Sequence, residues 1–170
     1  MTFVHLKKDQ FFFQLGTLDK ALLFQLIERY PLVPPNHFQT SVHPEKDLES
    51  QFINDLLIEE RQENKKKLNG FFTSVRKFSG AGEEGSLLAI SFSEMQWLLQ
   101  VLNDIRVGAW IQLGSPDESG MERFDEGHQL NEQSWAMNLS SRFQGELLSA
   151  LDQAEAMDSP STEEFGSEDF

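Results

Sequence analysis

The 170-residue chain has no cysteine, a single tyrosine and few basic residues, with 14 Lys and Arg against 28 Asp and Glu. Without cysteine there are no disulfides, no thiolate nucleophile and no Cys-ligated zinc. A formal net charge of -14 argues against a grip on a nucleic-acid backbone, whose phosphates such a surface repels. No apolar run reaches the ~18 residues that a membrane-spanning helix needs. Residues 1–9, Met-Thr-Phe-Val-His-Leu-Lys-Lys-Asp, lack the apolar core of a signal peptide, so the cytoplasm is the expected compartment.

Catalytic and cofactor signatures are missing as well. The histidines, His5, His37, His43 and His128, form neither a His-x-x-x-His pair nor a His-Glu-x-x-His motif, so no metal site is expected. There is no Gly-x-Ser-x-Gly elbow for a serine nucleophile. The glycine-rich stretch Ser79–Gly85 carries Glu83 and Glu84 and no lysine, which disfavours phosphate. Adjacent acids such as Glu59 and Glu60 point to different sides of a helix and read as a solvated face. No cofactor is expected, and the sequence reads as non-enzymatic.

What the chain has is aromatic and aliphatic material, including 15 Phe and 3 Trp. That is enough to build one domain, expected over 1–157, without covalent staples. Its charge is unevenly placed: residues 1–78 carry a net +1 and residues 79–170 a net -15. The basic residues that do cluster are Lys65, Lys66 and Lys67, with Arg61, Arg76 and Lys77 nearby. They suit an acidic partner, the chain's own acidic tail or a solvated helix face, not nucleic acid, because no aromatics are interleaved with them.

Periodicity predicts a mainly α fold of four helices with a minor two-stranded antiparallel sheet. Phe11–Leu15 reads as a strand closed by Gly16. A helix follows from Leu18 to Tyr30 with Thr17 as its cap, and Pro31, Pro34 and Pro35 end it. A second helix is expected from Pro44 to Phe78, interrupted or kinked near Gly70. Its apolar stripe Leu48, Phe52, Leu56 is rotated from the later stripe Leu68, Phe71, Phe72, Val75, Phe78, so the two ends should face different neighbours. Residues 79–85 read as a loop and 86–90 as a second strand, pairing with the first. Ser91 or Ser93 should cap a third helix, Glu94–Leu113, stopped by Gly114. After a loop over 114–130, Asn131 should cap a fourth helix, Glu132–Met157. Residues 158–170 are acidic and rich in Ser, Pro and Gly, the composition of a disordered tail. Its Phe165 and Phe170 are candidate partner contacts.

The third helix is apolar almost all round, the mark of a central element. Asn103, Asp104 and Arg106 sit within it. A buried arginine needs a carboxylate, since an unpaired buried charge costs several kcal/mol. Asp55 and Glu59, one turn apart on the second helix, are the expected partners. The residues Asp55, Glu59, Asn103, Asp104 and Arg106 therefore form a candidate internal polar network. It is either a structural register pin or, alternatively, a carboxylate–Arg106 ligand or catalytic site. Trp110, on another side of the helix from Trp97, is a candidate interface anchor if it is exposed.

The run Trp97-Leu98, Leu102-Asn103-Asp104-Ile105-Arg106 and Leu113-Gly114 resembles the late helix of a family of small bacterial proteins classed as a domain of unknown function. Trp110 and Gln112 stand where that pattern has Gly and Arg. Members of the family are often encoded beside an adaptor of the Clp protease. The resemblance implies a regulatory, protein-binding role linked to Clp-type proteolysis, and carries no catalytic residue with it.

Overall fold

The structure is a computed structural model describing residues 1–33, 44–73, 78–82, 85–116 and 131–158, of which 44–50, 72–73, 78–82 and 157–158 are described by their backbone alone. In chain order its elements are β1 (Thr2–Lys7), β2 (Gln10–Leu15), α1 (Thr17–Glu28), α2 (Pro44–Thr73), β3 (Phe78–Gly82), β4 (Gly85–Ser91), α3 (Phe92–Gln112) and α4 (Glu132–Asp158). The mainly α expectation holds, with four helices among the described residues.

The sheet is larger than expected. It has four antiparallel strands in the order β1-β2-β4-β3. The two anticipated strands are its centre, with Phe11 opposite Ile90 and Phe13 opposite Leu88. Strict alternation puts Phe11, Phe13, Leu15, Leu88 and Ile90 on one buried face. The two unanticipated strands are the edges. β1 is solvent-exposed along most of its length, so it shows little hydrophobic alternation. It reaches β2 through Lys8 and Asp9, at φ 51° and 60°, the left-handed pair of a tight hairpin made without the usual Asn-Gly. β3 takes up Gly80 and Gly82, which read as loop residues in isolation. Gly85, at φ +95°, makes the turn into β4; a Cβ there would lie 2.1 Å from the Leu15 carbonyl oxygen, so no other residue fits.

Helices α3 and α4 pack along each other and close the core against the buried sheet face. Leu98, Val101, Leu102 and Ile105 of α3 meet a continuous stripe of Ala136, Leu139, Phe143, Leu147 and Ala150 on α4. Ser91 caps α3 through a full capping box, its Oγ accepting from the Glu94 amide while the Glu94 carboxylate accepts from the Ser91 amide. Asn131 caps α4 by accepting from the Gln133 amide at 3.0 Å. Thr17 is not a cap but the first residue of α1; Gly16 holds the cap position with no side chain to contribute. Asp19 of α1 forms ion pairs with Arg142 of α4 and with the Met1 amino group, tying helix to helix and to β1.

α2 differs from the expectation at its end. It stays helical through Gly70 and stops at Thr73, and Phe78 belongs to β3. Its two stripes do face differently. Leu68 and Phe71 enter the core, whereas Phe52, Ile53 and Leu56 are exposed. The chain after α1 crosses α3 closely at Gly108, where a Cβ would lie 2.7 Å from Leu32. Gln112 holds it there by donating to the Leu32 carbonyl at 2.7 Å. Of the expected loop over 114–130 and the expected tail 158–170, residues 117–130 and 159–170, with Phe165 and Phe170, lie outside the described residues, as do 34–43; Asp158 is the last residue of α4.

Candidate functional site

At 100° per residue, α3 presents Gln96, Gln100, Arg106 and Trp110 on one arc and Met95, Trp97, Leu98, Val101, Leu102, Ile105 and Ala109 on the other. The first arc faces solvent. Arg106 is therefore exposed, and its guanidinium donates to Asn103 Oδ1 at 2.9 Å, one turn back on the same helix. Asp55 and Glu59 are exposed on α2, and none of the ion pairs among the described residues joins them to Arg106. The expected buried Arg106–carboxylate pair is overturned. Leu99 and Val107, half-buried on the solvent arc, give the apolar all-round pattern that suggested a buried arginine.

An internal polar network does exist, one element away. Trp97 and Asp104, seven residues apart, share the edge of α3 that meets α2 and the end of α1. Trp97 Nε1 donates to Asn64 Oδ1 at 2.7 Å. Asn64 Nδ2 donates to Tyr30 Oη at 3.3 Å, and Tyr30 Oη donates to Asp104 Oδ2 at 3.3 Å. Each donor has one acceptor and the chain of bonds runs in one direction, from indole to carboxylate. Phe71 and Lys67 enclose the Trp97 ring, with the Phe71 centroid at 5.5 Å and Lys67 Nζ at 4.2 Å from it. On the rim, Gln100 donates to Glu60 at 2.8 Å.

Burial sets the acidity of this network. It pushes the Tyr30 hydroxyl up to about 12, and the Asp104 charge adds to that effect. Burial also raises Asp104, helped by Glu60 and only partly offset by the positive charge of Arg61 and the Tyr30 bond. Arg61 is 9 % exposed on the α2 face that carries Asn64, Leu68 and Phe71. Of the five residues expected to form the network, the structure places Asp104 in it and leaves Asn103, Arg106, Asp55 and Glu59 outside. Tyr30, Asn64 and Trp97 complete it and Arg61 acts on it by charge, and the two on α2 carry a readable signal. Positions 61, 64, 68 and 71 have the spacing of a single helical contact face, so two polar residues in phase with Leu68 and Phe71 mark a polar contact.

The second feature is a surface one. Arg106, Val107, Trp110 and Met137 line a shallow cleft of about 250 Å³ between α3 and α4. Trp110 is 40 % exposed there, and its Nε1 donates to the Pro116 carbonyl at 3.1 Å. That bond holds the indole in place without burying it. Among the described residues, no group of three or more His, Asp or Glu could hold a metal ion. No described helix is long and apolar enough to cross a membrane.

No family model matches this chain. No curated protein and no solved structure matches it either.

Proposed function

We propose that the protein is a non-enzymatic cytoplasmic interaction protein that binds a protein partner through the Trp110–Arg106 surface. The observation that supports this most is Trp110, 40 % exposed and pinned by its bond to Pro116, beside an exposed Arg106. Trp and Arg are the side chains that most often anchor interfaces, and a pre-positioned anchor binds without an ordering penalty. The apolar indole with an adjacent guanidinium suits a partner that offers an apolar pocket rimmed by carboxylates. A link to Clp-type proteolysis is part of the same proposal and rests on the resemblance of Trp97–Gly114 alone.

Affinity capture from lysate with the full chain tests this. Trp110→Ala and Arg106→Ala should keep the melting temperature within a few degrees, since both side chains are exposed. Each should lose the same specific partner. If both variants retain every protein captured by the unaltered chain, the surface is not an interface. A Clp adaptor or unfoldase among the lost proteins would support the proteolytic link.

A further inference from the structure

We infer that the cleft between the segment after α1 and helix α2 binds a small monocarboxylate with an apolar body, held by Arg61 and Lys65. The cleft is about 260 Å³ and is lined by Pro31, Val33, Ile58, Arg61, Gln62 and Lys65. It shares no residue with the Trp110 surface and does not depend on that reading.

The argument starts from Arg61. The residue is 9 % exposed, so its charge is largely removed from water. A buried guanidinium is tolerated when a counter-ion and hydrogen-bond acceptors are supplied. None of the three ion pairs among the described residues includes Arg61. Asp104 feels its charge but is not within the 4.0 Å of an ion pair, and Asp104 spends one oxygen on the Tyr30 hydroxyl.

Lys65 lies one helical turn beyond Arg61 on the same wall, and Gln62 adds an amide. Pro31, Val33 and Ile58 make the remaining lining apolar. The site therefore has a cationic side and an apolar side. That pairing of a cationic with an apolar side suits a carboxylate on an apolar body, whereas inorganic phosphate makes no use of the apolar side. The cleft of about 260 Å³ has room for a small branched acid such as isocaproate. The planar guanidinium takes a carboxylate through two parallel bonds, and Lys65 adds a point charge.

The probes are isocaproate, its neutral isostere isocaproamide, and inorganic phosphate, titrated into the full chain by calorimetry. Isocaproate should bind saturably, with the amide and phosphate each at least about tenfold weaker. Arg61→Gln should weaken isocaproate by at least about tenfold, Lys65→Gln by less, and Arg106→Gln not at all. If Arg61→Gln fails to fold, exposed Lys65→Gln decides the matter, and unchanged affinity in it overturns the proposal. No saturable binding, equal binding of acid and amide, or phosphate binding as tightly as the acid also overturns it.

Discussion

Phe143 on α4 and Phe52 on α2 are the same side chain on two long helices, yet one is fully buried and the other 66 % exposed. The difference lies in what each helix finds opposite. Along α4, apolar residues recur at 136, 139, 143, 147, 150 and 154, and α3 and the sheet supply a matching apolar surface for the whole length. Along α2, the phase of the apolar residues changes midway. Leu68 and Phe71 point to the core, but Phe52, Ile53 and Leu56 point to solvent. Between them, α2 is joined to the body by Asn64, Trp97, Tyr30 and the Gln100–Glu60 bond. One region is held by continuous apolar contact and the other by Leu68, Phe71 and a few directed polar contacts over part of its length. Apolar content alone does not decide burial; a continuous face with a partner does.

The largest expected effect sharpens this contrast. Phe143→Ala should cost ~3–5 kcal/mol in denaturant unfolding, because the vacated space is walled by α3 and the sheet and cannot collapse. A loss below ~1 kcal/mol would mean that α4 is as loosely held as the outer half of α2.

The next effect breaks the polar seam. Asn64→Ala leaves the Trp97 indole N–H without its acceptor and removes a donor from Tyr30, at an expected cost of ~1–3 kcal/mol. Because the cost is an unmade bond, Trp97→Phe in the same chain should cost less in the Asn64→Ala background than alone. Strict additivity of the two substitutions would show that the seam is not a connected network.

The same seam has a pH signature that is directly assignable, since Tyr30 is the single tyrosine of the chain. Its folded-state pKa is raised from 10.0 to about 12, so the folded state keeps this proton longer than the unfolded chain does. The associated stability is therefore fully present below pH 10 and is lost as the pH rises towards 12. Tyrosinate absorbance should show a midpoint near 12 in the folded protein, and Tyr30→Phe should remove this component of alkaline destabilisation. A midpoint near 10 would place the hydroxyl in water.

The smallest expected effect is at the exposed end of α2. Phe52→Ala should change stability by less than ~0.5 kcal/mol, the usual range for a surface position. A cost near that of Phe143→Ala would mean that this end of α2 is covered in solution.

Much of the helical architecture was legible in the sequence because its signals are local. The arc of Leu22, Leu23, Leu26 and Ile27, a serine cap at Ser91 or Ser93, the Asn131 cap and the Gly114 stop each act within a turn or two of chain. The two central strands were legible for the same reason, since Phe11, Phe13 and Leu15 alternate in phase. The edge strands were not. β1 buries little and β3 is rich in glycine, so their strand character comes from hydrogen bonds to neighbours far along the chain or across a turn.

The polar site divides along the same line. That some polar residues of α3 pair internally followed from an apolar helix carrying Asn103, Asp104 and Arg106. Which residue goes inside did not follow, because Leu99 and Val107 on the solvent arc disguise the exposed side. A helix's rotation about its axis is fixed by what its neighbours bury, and no residue of α3 encodes the positions of α2 and α4 by itself. Sequence determined that the chain forms these helices and the centre of this sheet, through capping, turn chemistry and periodicity. Only the tertiary structure decided that Asp104 meets Tyr30, that Arg61 is buried and that Arg106 and Trp110 face outward, because those outcomes depend on the long-range packing of whole helices.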